Sequence, residues 1–443
     1  MLLVTYLRGS PIRTESLKGE ERASEPPSHR FTQAPSTSIL ESIHKPLYTE
    51  PSANRPSAQV RGTILRSKLS STGTTIFTVM SKMAQDYGAI NLSQGFPDFD
   101  CPERLKELVV NHLYAHKNQY PPMAGIPALR QQIAAKVKSY YGYDADAETE
   151  VTVTSGATEA LFDAVQATVG DGDEVIVFDP AYDSYEPAIQ LAGGRAIHVP
   201  LLLPDYGIDW DRVEQAVTAK TCLIIINSPH NPCGSILAQQ DLDNLAAIIR
   251  DRDILVLSDE VYEHMVYDDL KHVSVLAHEE LKGKSFAVFS FGKTYHATGW
   301  KLAYCVASKE LTDAFRNIHQ FVTFTTSSFV QYAIADFMQE CPEHTLELPK
   351  FYADKRDRFC ELIKDSRFEF TPSRGTYFQL VDYSEISDMN DIEFANHITQ
   401  NKGVAAIPLT PFYETPPTTK IVRFCFCKDD ITLEQAAEIL CKL

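Results

Sequence analysis

Four apolar runs recur along the chain, and each empties into small, polar or charged residues. Val151–Thr154 leads into SGATEALFDAVQATV, Thr221–Ser228 (TCLIIINS) into PHNPCG, residues 253–258 (DILVLS) into DEVYEH, and Ser285–Ser290 (SFAVFS) into FGKTYHATGWK. Runs of this length with polar ends predict strands, and runs this uniformly apolar predict strands covered on both faces. Periodic segments lie between them, so strand and helix alternate to about residue 330 and the fold class is α/β. In an open sheet of parallel strands the carboxyl ends gather along one edge, where ligands bind. The four polar termini are therefore expected to meet.

The flanking segments read differently. From Lys68 to Tyr87 the pattern predicts an arm and an amphipathic helix over IFTVMSKMAQDY; NLSQGFPDFDCPE then forms a Gly/Pro-broken loop after a short strand. One helix starts near Glu103, and another follows the Pro-Pro and Gly-Ile-Pro stops of NQYPPMAGIPALRQQIAAKVKSYYG. A long helical stretch over roughly 308–366 feeds a smaller α+β lobe with strands at FEFTP, TYFQLVD, AAIPL and IVRFCFC. The expected organisation is a leader over 1–66, an arm and part of a small domain over 67–102, a large domain over 103–340 and a small domain over 341–443.

Composition narrows the function. The chain has 443 residues, 44% hydrophobic and 23% charged, enough for a sizeable core and more than one lobe. No apolar run approaches the roughly 18 to 20 residues that span a bilayer, which predicts a soluble protein without a membrane partner. A net charge of -18 argues against nucleic acid, whose phosphates demand basic patches. Nine cysteines without a CxxC pair predict free thiols in a reducing compartment, the cytoplasm. The leader has seven Pro, nine Ser, and nine Lys or Arg against six Glu, a composition that predicts disorder. Organelle targeting by this leader stays open, although its six Glu fit a transit peptide badly.

The candidate chemistry sits at the strand ends. A lysine there, Lys293, becomes an amine nucleophile if burial lowers its pKa; a solvated surface lysine is the ordinary alternative. Asp259 ends an apolar strand, where an ionised carboxylate is costly unless a cation meets it. It either pairs with a protonated ring nitrogen of an aromatic cofactor or serves as a helix cap or ion pair. Tyr262 and Asn231 can both donate to a phenolate-type oxygen. Ser155, Gly156 and Ala157 open a helix whose amides and dipole suit a phosphate, with Ser290 and Lys301 able to add a hydroxyl and a charge. In KIVRFCFC, alternation puts Arg423 among apolar neighbours, where its fork of donors suits a carboxylate; an edge-strand arginine reaching solvent is the alternative. Cys425 and Cys427 share one face and read as buried hydrophobes rather than a metal pair. No metal is expected.

Taken in this order, NSPHNPCG, SDEVYEH and SFGKTYHATGWK resemble the fold-type I, pyridoxal 5'-phosphate-dependent aminotransferases of class I, and the likeness covers residues 67 to 443 almost end to end. NLSQGFPDFD, NQYPPMAGIPALR, FDPAYDSYEP and GVAAIPL place it nearest the branch of methionine aminotransferases and kynurenine aminotransferase/glutamine transaminases. The resemblance implies a mostly parallel seven-stranded sheet flanked by helices, a smaller α+β domain, and a homodimer with shared sites. It implies that Lys293 holds the cofactor aldehyde and later shuttles a proton at the substrate Cα. Asp259 would hold the pyridinium, Tyr262 and Asn231 the 3'-oxygen, and Tyr182 the ring face. Gly156, Ala157, Ser290 and Lys301 would meet the phosphate, with Tyr120 reaching in from a second subunit. Arg423, with Asn227 and the Gly95 backbone, would take the substrate α-carboxylate. Many relatives carry Arg where this chain has Lys301.

The arm from Leu69 to Met80 has no Arg for a second carboxylate, while Phe77, Tyr87, Phe96 and Phe321 are candidates to line an apolar side-chain pocket. The branch likeness therefore implies amino transfer from methionine, glutamine, phenylalanine, tyrosine or kynurenine to a 2-oxo acid by a ping-pong route. A cysteine-conjugate β-lyase on the same scaffold is the rival enzyme. A ligand-sensing regulator would want a DNA-binding module in front, and residues 1–66 show no helix-turn-helix pattern.

Overall fold

The computed structural model describes residues 68–69 and 73–443; the leader expected over 1–66 lies outside them. Helix α1 (Ile76–Tyr87) begins where the Thr75 hydroxyl accepts the Thr78 amide at 3.3 Å, a side-chain cap for an otherwise unpaired donor. It stops at Gly88, whose φ of 63° suits a residue without Cβ. Strand β1 (Ile90–Asn91) and helices α2 (Glu103–Tyr114) and α3 (Pro127–Tyr141) follow. The chain then alternates through β2 (Val151–Thr154), α4 (Ala157–Thr168), β3 (Glu174–Asp179), α5 (Tyr185–Ala192), β4 (Arg195–Pro200), β5 (Thr221–Asn227), β6 (Leu255–Asp259), β7 (Ser285–Ser290) and β8 (Ala303–Val306).

These strands form a seven-stranded sheet in the order β2-β8-β7-β6-β5-β3-β4. Every pairing is parallel except the two made by β8. Running against its neighbours, β8 starts at the edge where the others end, which delivers Lys301 to that edge. The register is explicit: Asn227 pairs beside Asp259, Asp259 beside Val288, and both Thr154 and Ser290 beside Ala303. β3 and β7 are buried along their whole length, as the uniform apolar runs predicted. Val175, Val177, Leu257 and Val288 join a core with α4 and α5, while Ile176, Ile224, Val256 and Phe289 join the core on the opposite face with α3. Each such aliphatic side chain contributes about 1.5–3 kcal/mol by leaving water.

A second sheet is antiparallel, with β9 (Phe378–Asp382), β11 (Ile407–Pro408) and β12 (Ile421–Cys425) in the order β11-β12-β9, while β10 (Val404–Ala405) pairs in parallel with β1. The first of the two cores runs on into this sheet through Phe378, Val422 and Phe424. Three expectations need correction. The helical stretch over 308–366 is three helices, Lys309–Val322, Ser328–Glu340 and Glu343–Ile363. FEFTP makes only an isolated bridge, in which Glu369 and Asp382 exchange backbone hydrogen bonds at 3.0 and 2.8 Å. AAIPL divides between β10 and β11, which belong to different sheets. Among the described residues, no helix is long and apolar enough to cross a membrane.

Candidate active site

The strand ends open onto a cavity of about 270 Å³. Gly156, Ala157, Tyr182, Asn227, Asn231, Asp259, Tyr262, Ser290, Lys293 and Lys301 all line it from the large sheet and its connections, and Phe77, Gly95, Phe96 and Arg423 line it from the arm and the small sheet. Thirteen of these residues had been expected at one site from sequence, and Phe96 had been expected in its pocket. Tyr120, Tyr87 and Phe321 do not line it.

At one end, Gly156 precedes α4 with φ 84° and ψ 162°. A Cβ built on it would meet Lys301 Cε at 2.9 Å and Nζ at 3.1 Å, so the ammonium lies against bare backbone at a helix start. That is a cradle for an anion: free helix amides, the helix dipole and a positive charge, with no side chain between. Behind it Glu159 accepts the Ser155 amide and the His319 imidazole. Burial opposes charge on His319, but Asp163 and Glu159 outweigh it and push its pKa to about 9.

In the middle, Asp259 ends β6 at 4% exposure. Burial raises its pKa to about 6, against the pull of the Tyr185 hydroxyl, which donates at 2.7 Å, and of the Val261 amide at 3.4 Å. Such a carboxylate calls for a cation. Across the cavity, Lys293 Nζ donates to the Tyr377 hydroxyl at 2.8 Å and to the Gly95 carbonyl at 3.2 Å. Burial lowers its pKa to about 8, with the positive charges of Lys301 and Arg423 acting in the same direction. An amine this close to neutrality can act as nucleophile and base. Tyr182 packs edge-on against Tyr185 at 5.6 Å, and burial raises its pKa to about 12. Tyr262 meets Tyr377 edge-on at 5.1 Å and keeps its proton, because burial raises its pKa.

At the far end, Arg423 is fully buried in β12, opposite Ile407 and Leu380. Its Nη1 donates to Asn231 Oδ1 at 2.6 Å and its Nη2 to the Ser93 carbonyl at 2.9 Å, while its plane lies 3.7 Å from the Phe378 ring centroid. Nε has no partner. A buried guanidinium held by neutral acceptors, with a donor unused, awaits an anion.

Asn227, expected beside that anion, is engaged elsewhere. The Asn227 amide donates to the Asp259 carbonyl at 2.8 Å and its oxygen accepts the Asn231 amide at 2.8 Å, so Asn227 braces the strand ends and the turn behind them. The Gly95 carbonyl takes Lys293 and Tyr377. Tyr87 is 56% exposed at the last position of α1, and Phe321 is 85% exposed because it lies about 200° round its helix from buried His319. Tyr120 is 84% exposed and packs edge-on against Phe324 at 5.8 Å.

Sequence reasoning missed Tyr185, Tyr377 and Phe378. Tyr185 stands in FDPAYDSYEP at the first turn of α5, a signal that an acid nearby would find a donor there. Nothing local marks Tyr377 or Phe378, which alternate across an ordinary β9 entry and reach the site only through long-range packing.

The profile of the aminotransferase class I and II family matches residues 87–440. The chain belongs to that family. It is 49% identical over 380 residues to the methionine aminotransferase of Escherichia coli, covering 86% of this chain and 98% of that one. It is 31% identical over 395 residues to mouse kynurenine–oxoglutarate transaminase 1, covering 82% of this chain and 93% of that one. A solved E. coli structure whose reactivity identified a methionine aminotransferase function superposes with a TM-score of 0.84 at 49% identity, covering 86% of this chain and all of that one. The N-succinyldiaminopimelate aminotransferase structure of Mycobacterium tuberculosis superposes at 0.82 with 36% identity, covering 85% and 99%. This aminotransferase has the fold of the fold-type I enzymes and depends on pyridoxal 5'-phosphate. The cavity fits that cofactor on its own evidence: an anion cradle that a Cβ would fill, a buried carboxylate calling for a cation, and a lysine with depressed pKa lining the same space.

Proposed function

We propose that this aminotransferase takes the amino group from a hydrophobic, aromatic or sulfur-containing L-amino acid (methionine, glutamine, phenylalanine, tyrosine or kynurenine) and passes it to a 2-oxo acid in two half-reactions. The observation that carries the substrate reading is the cation inventory of the cavity. Among the described residues that line it, Arg423 is the sole guanidinium, Lys301 belongs to the phosphate cradle, and Lys293 is tied to Tyr377 and Gly95. One carboxylate is therefore provided for and a second is not, while Phe77 and Phe96 offer apolar surface for the side chain. The 49% identity to a methionine aminotransferase supports the same choice.

Bound, pyridoxal 5'-phosphate supplies an electron sink for the charge left when the α-proton departs. The chain's own residues do the rest. Gly156, Ala157, Ser290 and Lys301 would anchor the phosphate; Asp259, to which the Tyr185 hydroxyl donates, would hold the ring nitrogen protonated. Asn231 and Tyr262 would donate to the ring's oxygen, and Tyr182 would hold its face. Arg423 receives the substrate carboxylate through its unused donors, with Asn231 fixing its plane and Gly95 at the cavity wall. Lys293 Nζ would take the proton from Cα and deliver it to the cofactor carbon.

A second copy of the chain completes this reading. Tyr120 and Phe321 are large aromatics standing in solvent with Phe324 beside them, which supports a homodimer whose Tyr120 reaches its partner's phosphate. Nine unpaired cysteines support a reducing, cytoplasmic setting. The test is an amino-donor panel with the purified holoenzyme and a common 2-oxo acid. Methionine and aromatic donors should lead, with aspartate and glutamate poor. Preferred turnover of a dicarboxylic donor, or pyruvate released from cysteine conjugates without any oxo acid, would overturn the substrate reading.

A further inference from the structure

Lys293 does not stand alone. Its Nζ lies 2.8 Å from the Tyr377 hydroxyl and 3.2 Å from the Gly95 carbonyl, and the same hydroxyl donates to Gly95 at 2.5 Å. The three groups close a triangle in which the carbonyl has no proton to give and the hydroxyl proton is already committed to it. The Tyr377 oxygen and the Gly95 oxygen are thus left as acceptors for two Nζ–H bonds. When the amine is neutral, both its protons are so engaged and its lone pair has a single direction left. We propose that Tyr377 is a positioning residue for Lys293: with the Gly95 carbonyl it forms a docking place for the freed amine and aims its lone pair into the cavity. This deepens the reading of Lys293 as proton shuttle and rests on it.

Three features make the bracket rigid. Tyr377 is fully buried, wedged between Tyr262, Tyr352 and Phe378 with centroid distances of 5.1, 5.7 and 4.9 Å. A Cβ on Gly95 would meet Phe378 Cζ at 2.8 Å and Tyr377 Cε2 at 3.3 Å, so that stretch of backbone approaches the rings as closely as only glycine allows. Tyr377 also keeps its own proton, because burial raises its pKa well above the ordinary value, and so it serves as a neutral partner. The charged and titratable groups around the amine are Asp259, Lys301, Arg423, Tyr262, Cys425 and Cys427. Among the described side chains, Tyr377 alone hydrogen-bonds to it.

The proton transfer balances simply. The C–H bond at Cα would break as the Nζ lone pair takes the proton and the bound cofactor takes up the electron pair left behind, giving an ammonium with two protons still on Tyr377 and Gly95 and the third facing the substrate. Delivery of that third proton to the cofactor carbon would restore the amine and use the same electron pair for the new C–H bond.

The experiment uses Tyr377→Phe, which keeps the ring packing, with Tyr352→Phe as a control. Tyr352 sits in the same aromatic cluster, but its hydroxyl bonds His296 rather than Lys293. Reductive methylation of Lys293 with labelled formaldehyde in the cofactor-free protein, followed by peptide mass across pH, reports the amine's pKa without turnover. Tyr377→Phe should lower that pKa, since an acceptor that favours the ammonium is lost, while Tyr352→Phe should leave it in place. In the holoenzyme Tyr377→Phe should reduce kcat by about tenfold, the scale of one hydrogen bond to a charged group, with KM for the donor amino acid changed little and a larger isotope effect for Cα-deuterated donor. An unchanged amine pKa together with unchanged kcat would overturn the inference. If Lys293→Ala retained turnover, the parent reading would fail instead, so the two failures are distinct.

Discussion

The two ends of the cavity are built in opposite ways. The cofactor end is a row of strand tips: Thr154, Asn227, Asp259 and Ser290 lie side by side on one sheet edge, fixed by ladder registers, and each functional group is at or within a few residues of its strand. The substrate end is a meeting of strangers. Phe77, Gly95, Tyr377, Phe378 and Arg423 arrive from the arm and the small sheet, and the bond from Arg423 to the Ser93 carbonyl joins residues 330 apart in sequence. On the roles proposed above, the groups that would hold the cofactor sit on the sheet, where geometry is inherited from main-chain pairing. The groups that would select the substrate sit where side chains from several segments must agree, and there the geometry can change without disturbing the sheet.

Substitutions sharpen the contrast. The largest effect belongs to the cofactor end: Lys293→Ala should reduce turnover at least about 10³-fold, the upper range for a general base, for every donor alike, as read from initial rates. Loss confined to one donor would break the distinction between the two ends. Next comes Arg423→Lys, which trades a planar fork for a point charge. Removing such buried, hydrogen-bonded recognition costs about 2–5 kcal/mol in comparable pairs, so kcat/KM should fall steeply while the cofactor remains bound, as judged by its absorbance after gel filtration. Cofactor loss in this variant would show that the two ends are not separable.

The smallest effect is on stability. In the cofactor-free protein Asp259 titrates near 6 rather than 3.8, because burial disfavours its charge. Its folded pKa being the higher one, the stability it contributes is complete below about 4 and is lost as pH rises through about 6. Asp259→Asn should therefore raise the thermal midpoint of the cofactor-free protein by about 2 °C or more at pH 8 and by much less near pH 4, while impairing turnover of the holoenzyme. Equal midpoint shifts at both pH values would remove burial as the cause.

The same contrast explains what was legible in the sequence. Lys293, Asp259, Asn231 and Gly156 follow apolar runs whose period and ending announce a strand tip, so local pattern and the convergence rule located them together. Arg423 was visible as a charge within an apolar alternation. Tyr377 and Phe378 were not, because TYFQLVD reads as any buried strand and only the packing of β9 against the arm gives them a neighbour. Tyr87 and Phe321 fail for the converse reason: an aromatic near a motif in sequence carries no information about which side of its helix faces inward. FEFTP looks like a strand by composition, but pairing needs a partner edge as well as apolar residues, and it meets β9 only at Asp382.

One pairing has a consequence for how the enzyme is made. Ile90 aligns with Val404, and the Leu92 carbonyl receives the Cys425 amide at 2.8 Å. Residues 90–93 thus leave the ribosome more than 300 positions ahead of the strands they must join. At roughly 5–20 residues per second, the arm waits on the order of tens of seconds before a partner exists, long after the large sheet can close. The wall proposed to receive the donor amino acid is therefore among the later parts of the molecule to be completed, and a nascent chain stopped short of Arg423 would carry the Gly156 and Lys301 cradle without the guanidinium proposed for the substrate carboxylate.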